Sequence, residues 1–185
     1  MGVAGSGKSR AGAGREMAEA IPLAYLITFT CYGTRLRGDE HGSVDRDHNI
    51  PGTPFLPPNP TRVSAQEKRM KQETSALDRA DRALVLEALQ EVCFHRGWAL
   101  LAAHVRSRHV HFVVSAQDAP ERVLNDVKGY ASRALNRAGG DRQERRRWAR
   151  HGSTRYLWKP EQVGNAIHYV VREQGEPMAV WENRA

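Results

Sequence analysis

The chain has 185 residues, which is enough for one domain with a real core and too few to hold two comfortably. The chain has 28 Lys and Arg residues and 21 Asp and Glu residues, which gives a net charge of +7 and a pI of about 9.8. This charge is compatible with a nucleic-acid-binding surface or simply with a basic soluble protein. Two distant cysteines, Cys31 and Cys93, argue against a disulfide framework or zinc ribbon. No apolar run reaches the roughly 18 to 20 residues of a membrane span, so we expect a cytoplasmic protein with buried thiols.

The N-terminal segment differs in composition from the rest of the chain. Residues 1–19 are rich in Gly, Ala and Ser, which predicts a disordered leader before a single domain over 20–185. Gly2 to Ser9 matches the phosphate-loop pattern, but such a loop must leave a buried strand, and only Met1 precedes it. We therefore predict no nucleotide site there.

The first half of the domain predicts a strand, a long irregular segment and a helix. Residues 23–32 alternate and are rich in β-forming side chains. After the Gly- and Pro-rich stretch 33–63, apolar residues recur at helical spacing over 64–97. Ser64 and Glu67 resemble a capping box at the start of this helix, and Gly97 is a suitable stop.

The second half predicts a hairpin, a helix, a strand and a final helix. The elements in order are strands 98–104 and 109–115, a helix over 119–138, a basic loop over 139–152, a strand over 153–158, and a helix over 161–174 opened by Pro160. The order β–α–β–β–α–β–α predicts an α+β, ferredoxin-like βαββαβ fold with an antiparallel sheet and an added C-terminal helix. Two helices would cover one sheet face, and the other face would be free for a ligand or for the last helix.

The strand 109–115 carries a His-x-His pattern. Residues i and i+2 of a strand share a face, so His109 and His111 present two imidazoles together while Val110 and Phe112 point to the core. Two imidazoles one strand step apart can chelate a divalent ion and leave coordination positions open. The pattern alone favours two surface histidines on a half-exposed strand.

The last helix is amphipathic and places a tyrosine on its polar side. Tyr169 and Glu173 lie one turn apart on that side, where the hydroxyl can meet a substrate and the carboxylate can complete a metal shell. The alternatives are a tyrosine at the rim of an amphipathic helix and a solvated charge. Tyr130 is a competing nucleophile, although its position on the apolar side of its own helix predicts packing, and Tyr156 beside Trp158 is interpreted as structural. The apolar stripe of the last helix consists of Val163, Ala166, Ile167, Val170 and Val171.

Three segments together resemble the single-tyrosine HUH transposases, especially the REP-associated tyrosine transposases. They are RHVHFVVS, VLNDVKGYASRALNR and NAIHYVVREQGE, and the resemblance runs from about Leu23 to Gly175. It implies that Tyr169 is the catalytic nucleophile, forming a 5′-phosphotyrosine link, and that His109 and His111 bind Mg²⁺ or Mn²⁺. Relatives often have Gln or Asn four positions after the tyrosine, and here that position is Glu173, with Gln174 as the alternative third ligand.

The resemblance implies single-stranded or hairpin DNA as the partner of a cytoplasmic, nucleoid-associated transposase acting in DNA transposition. It leaves open a monomer or a homodimer that exchanges the tyrosine helix. Basic residues bind phosphate, and an exposed tryptophan stacks on unpaired bases, whereas a solvated basic loop with a packing tryptophan is equally compatible with the sequence. The candidate DNA-binding residues are Arg106, Arg108, Lys128, Arg142, Arg145, Arg146, Arg147, Trp148 and Arg150.

Two other functional classes remain open from the sequence. The first is a domesticated, non-catalytic DNA or RNA hairpin-binding protein on the same fold, which would not need Tyr169. The second is a ferredoxin-like RNA-binding domain, although such domains carry aromatic residues where this chain has His109 and His111. A zinc site is disfavoured because no Cys or third His has matching spacing.

Overall fold

The structure, a computed structural model, describes residues 21–34, 58–70, 72–139 and 145–183. The predicted leader, the phosphate-loop match and Arg142 lie outside these residues. Within them the chain forms β1 (Ala24–Cys31), α1 (Pro60–Arg69), α2 (Arg79–Arg96), β2 (Ala99–Val105), β3 (His109–Ser115), α3 (Pro120–Gly139), β4 (Trp148–Leu157), α4 (Pro160–Arg172) and β5 (Ala179–Glu182). The fold is thus α+β, with a five-stranded sheet and four helices in the described part of the chain.

The sheet is antiparallel throughout, with the strand order β4-β1-β3-β2-β5. In the register of the pairs, His111 of β3 lies between Thr28 of β1 and His104 of β2. Thr28 in turn pairs with Ser153 of the edge strand β4. This row of side chains crosses the sheet where the predicted histidine pair lies.

Helices cover both faces of the sheet. On one face α2 and α3 pack together over a core that includes Phe29, Val110 and Phe112, all almost fully buried. On the other face α4 packs alone through the predicted apolar stripe, with Ala166 and Val170 buried against Val113 and Leu157. The assignment of α4 to the second face is therefore confirmed.

The single helix predicted over 64–97 is wrong, because the structure has two helices there. α1 begins at Pro60 after Asn59, and the capping box belongs to Asp78 and Asp81 at the start of α2. Between the helices the chain pairs with loops next to the sheet, since Leu77 N–H donates to Ser107 O at 2.7 Å. Gly97 ends α2 with a left-handed backbone (φ 68°), as predicted.

The C-terminal part of the sheet is larger than predicted. β4 begins at Trp148 rather than 153, so Trp148, Arg150 and Gly152 are strand residues and not part of a basic loop. Gly152 lies so close to the neighbouring strand that a Cβ would be 2.7 Å from Thr28 O. β5 was not predicted, because four residues lying along β2 are too few for a clear alternating pattern.

Both cysteines are buried and unpaired, as predicted. Burial raises the pKa of Cys31 to about 11 and that of Cys93 to about 12, so both remain thiols at neutral pH. Of the helices in the described ranges, none combines the length and the apolar character needed to cross a bilayer.

Candidate active site

The two histidines of β3 lie on the α4 face of the sheet, as the strand pattern predicts. Their rings are nearly parallel, with centroids 6.1 Å apart and planes 17° apart. His111 is buried and His109 is half-buried, while Val110 and Phe112 between and beside them are in the main core. Both imidazoles therefore face the helix that carries Tyr169.

Tyr169 lies directly against His111, the inner histidine of the pair. Its ring meets that of His111 edge to face, with centroids 6.2 Å apart. The side chain of Tyr169 is 38% exposed, so the ring is held on one side and reaches solvent on the other. The structure thus brings Tyr169 to the strand face that His109 and His111 share, although the tyrosine follows them in the chain by about sixty residues.

A threonine on β1 contacts the inner histidine. Thr28 Oγ1 lies 2.9 Å from Nδ1 of His111. When the ring proton is on Nδ1, the imidazole donates to the hydroxyl oxygen, and this contact fixes the orientation of the ring. Thr28 is therefore placed to orient His111, a role that the sequence analysis missed.

A cleft of about 620 Å³ opens between α4 and the strands β1 and β4. Tyr169 and Glu173, both predicted to lie on the polar side of the last helix, contribute to its wall. Arg155 of β4 adds an exposed cation that the sequence analysis did not single out. The lining residues are Leu26, Thr28, Ser153, Thr154, Arg155, Gln162, Asn165, Ala166, His168, Tyr169 and Glu173.

The two candidates for a third metal ligand have different surroundings. Glu173 lines the cleft, and its Oε1 accepts from Nδ1 of His168 at 2.9 Å. Gln174 instead donates through Nε2 to the Tyr169 carbonyl at 3.1 Å, which caps the end of α4. Within the described residues, no three His, Cys, Asp or Glu side chains form a metal-binding group. Glu173 is the better placed of the two, but it is paired with His168.

A buried histidine on β2 ties the tyrosine helix to the sheet. His104 is fully buried, with Nδ1 3.2 Å from Val170 O and Nε2 accepting from Met178 N–H at 3.2 Å. Because Nε2 must accept, the ring proton lies on Nδ1 and the imidazole is neutral. Burial lowers the pKa of His104, in keeping with that state. The only sequence signal for His104 was a single polar residue in the apolar run WALLAAH.

Three of the predicted DNA-binding residues are engaged within the protein. Nη1 of Arg106 donates to the carbonyls of Gln174 and Glu176, which holds the turn after α4. The Lys128 ammonium is buried and lies within hydrogen-bond distance of three β4 carbonyls, and burial lowers its pKa to about 8.

Trp148 packs edge to face on Phe29 and donates from Nε1 to Ser132 Oγ at 2.8 Å. Its ring is thus half-buried rather than presented to solvent. These contacts assign anchoring roles within the fold to Arg106, Lys128 and Trp148.

The remaining predicted basic residues lie at the surface wherever they are described. Arg147 is half-buried and donates from Nε to Asn136 Oδ1 at 2.9 Å. The exposed members of the set are Arg108, Arg145, Arg146 and Arg150.

The competing tyrosine lies on the other side of the sheet. Tyr130 belongs to α3 and packs against the main core, on the sheet face that α2 and α3 cover. The Arg133 guanidinium lies 4.4 Å from its ring centroid. It therefore does not share a face with His109 and His111, and the prediction that Tyr130 packs is confirmed.

Comparison with known proteins identifies a family and similar solved structures. The family model described as "Transposase IS200 like" matches residues 68–169, more than half of the chain, and this span includes both histidines and Tyr169. One similar solved structure is a REP-associated tyrosine transposase bound to a REP hairpin, with 10% identity over 82% of this chain and 66% of that chain, and a TM-score of 0.44. Another is a proposed transposase from Deinococcus radiodurans R1, with 14% identity over 83% of this chain and 92% of that chain, and a TM-score of 0.43. No curated protein matches. The matched span establishes that the chain belongs to the IS200-like transposase family.

Proposed function

We propose that this chain is a metal-dependent, single-strand DNA endonuclease and strand transferase that acts on hairpin DNA in transposition, with Tyr169 as its nucleophile. The observation that carries the proposal is the contact between the Tyr169 ring and His111, which is stacked on His109, together with the exposure of Tyr169 in the wall of an open cleft.

The donor set fits a divalent cation such as Mg²⁺ or Mn²⁺. His109 and His111 would hold it, and Glu173 would join them by exchanging its His168 partner for the cation. When bound, such a cation polarises the scissile phosphate and neutralises charge that develops on it. Thr28, whose Oγ1 lies within hydrogen-bond distance of Nδ1, would hold the orientation of the His111 ring.

The protein's own part is positioning and nucleophilic attack. The Tyr169 oxygen forms a bond to phosphorus and loses its proton, while the bond from phosphorus to the 3′ oxygen breaks and that oxygen takes up a proton. The 5′ side of the DNA remains on Tyr169 as a phosphodiester. A later 3′-hydroxyl can attack this link and rejoin strands without a nucleotide cofactor. Arg155 in the cleft wall is placed to bind a backbone phosphate near the tyrosine.

The test is covalent capture of labelled DNA hairpins carrying single-stranded flanks. We expect a protein–DNA band on denaturing gels that requires Mg²⁺ or Mn²⁺ and is lost in Tyr169→Phe. Tyr130→Phe is the matched control, because Tyr130 lies on the opposite face of the sheet, and it should retain the band. His109→Ala and His111→Ala should also weaken Mn²⁺ binding measured by titration calorimetry.

The experiment separates this function from the main alternative. Tight hairpin binding without a covalent band under any metal would favour a domesticated, non-catalytic hairpin-binding protein. A band that persists in Tyr169→Phe and disappears in Tyr130→Phe would move the nucleophile to α3 and contradict the site.

A further inference from the structure

An aromatic pair lies exposed on the edge strand β4 and has no part in the site described above. The rings of Tyr156 and Trp158 are nearly parallel, with planes 11° apart and centroids 6.1 Å apart. Their exposed fractions are 45% and 48%, and Leu23 beside them is 47% exposed. Large aromatic side chains normally bury most of their surface, so a parallel pair in solvent calls for a partner.

The pair is held firmly although it is exposed. Tyr25, itself buried, meets Tyr156 edge to face with ring centroids 5.3 Å apart. The backbone N–H of Trp158 donates to Gln162 Oε1 at 2.8 Å, which joins the strand end to the start of α4. A rigid ring costs little entropy when it binds a planar ligand.

The strand that carries the pair is basic, which favours a partner that bears phosphate. The segment 145–159 has six Arg and Lys residues and no Asp or Glu; Arg155 and Lys159 adjoin the pair in the sequence, and the other four lie at the opposite end of the strand. Two carboxylates lie near Tyr25 beneath the pair: Glu121, and Asp118, which Arg122 holds at 2.9 Å. Trp148, the residue first expected to stack on a base, is engaged by the core, so Tyr156 and Trp158 are the aromatic residues of this basic strand that reach solvent.

The pair is continuous with the cleft around the edge of the sheet. Arg155 and Tyr156 are neighbours in β4 and project to opposite faces, the first into the cleft and the second into the pair. β4 is an edge strand, and Gln162, which holds Trp158, also lines the cleft. A DNA strand leaving the cleft can therefore pass around β4 to the aromatic pair.

We propose that Tyr156 and Trp158 form a stacking platform for an unpaired base in the single-stranded flank of the DNA hairpin. The platform deepens the proposed function and rests on single-stranded DNA being the substrate. A stable protein interface takes roughly 20 to 30 residues from each partner, far more than the three exposed side chains Leu23, Tyr156 and Trp158. A single base needs only one or two aromatic rings to stack on.

The test compares two DNA probes in the full chain, with EDTA present so that no cleavage occurs. One probe is a hairpin with an oligothymidine tail, made with the tail at either end, and the other is the same hairpin without a tail. We expect Trp158→Leu and Tyr156→Leu to weaken binding of one tailed probe by roughly 5- to 150-fold. The tailless hairpin should bind within about twofold of wild type, since its affinity rests on phosphate contacts.

Two variants control for loss of an aromatic residue and for loss of folding. Phe94→Leu removes an aromatic side chain that is 85% exposed on α2 and should change neither probe. Trp158→Phe keeps a stacking ring and should restore most of the tail-dependent affinity. If Trp158→Leu does not fold, 2-aminopurine in the tail reports stacking directly, with quenching in wild type that Tyr156→Leu reduces.

Equal loss on tailed and tailless probes, or no loss on either, overturns the platform. A fall in molar mass of Trp158→Leu relative to wild type in sedimentation also overturns it, since the surface is then an interface between copies of the chain. A different result would contradict the proposed cleavage function without contradicting the platform. If no metal-dependent adduct forms but the tail-dependent loss persists, the platform stands and the cleavage mechanism does not.

Discussion

Replacing His104 tests whether the buried imidazole holds the tyrosine helix on the sheet. In His104→Leu, the buried Val170 O and the part-buried Met178 N–H both lose their partner. Each loss of this kind costs about 1 to 3 kcal/mol, partly offset by the added apolar burial of leucine, so we expect about 2 to 4 kcal/mol in the free energy of unfolding. Denaturation in urea followed by tryptophan fluorescence measures this difference. His104→Gln keeps a donor and an acceptor and should lose less.

The pH dependence makes the test specific to the neutral imidazole. Burial lowers the pKa of His104 in the folded state below its usual 6.5, so the unfolded chain binds more protons as the pH falls through 6.5. The wild type therefore loses stability on acidification, and His104→Leu lacks this contribution. The destabilisation by His104→Leu should be larger at about pH 7.5 than at about pH 5.5. A difference that is constant or grows in acid would refute a buried neutral His104.

Three further substitutions probe the support of the site. Thr28→Val should lower metal affinity or adduct formation by about 10- to 100-fold by releasing the His111 ring, as titration calorimetry with Mn²⁺ can check, and unchanged affinity would contradict the orienting role. Lys128→Met should cost about 2 to 4 kcal/mol in urea denaturation because the β4 carbonyls lose their buried donor, and unchanged stability would contradict the anchoring role. Gly152→Ala should cost about 1 to 3 kcal/mol, because the new methyl carbon meets Thr28 O at 2.7 Å, and a melting temperature equal to wild type would contradict that close approach.

The spacing of apolar residues predicted the structure correctly for the strand and the helix that each bury one face. It predicted β3 with His109 and His111 on one side, and it predicted α4 with Tyr169 away from the apolar stripe, because both patterns follow directly from helix and strand geometry. It failed between residues 64 and 97, where the apolar Leu77 continued the helical spacing. That side chain enters the core from an extended segment held by Ser107 O, a contact distant in sequence.

The roles of the basic residues could not be predicted from the sequence. Composition treats every Lys and Arg alike, but Lys128 lies under β4 and Arg106 holds the turn after α4, while Arg155 reaches the cleft. Whether a cation meets phosphate or a backbone carbonyl depends on which surface covers it. That surface is formed by elements that are distant in the chain.

The sequence by itself determined the family and the α+β order of elements, and it placed His109 and His111 on one strand face and Tyr169 on the polar side of α4, because local spacing fixes which side chains share a face. Only the tertiary structure decided that Thr28 contacts His111, that His104 contacts α4, that Glu173 rather than Gln174 lines the cleft, and that Tyr156 and Trp158 stay exposed. Those outcomes depend on strand register and on the packing of α4, which arise from contacts between residues far apart in the chain.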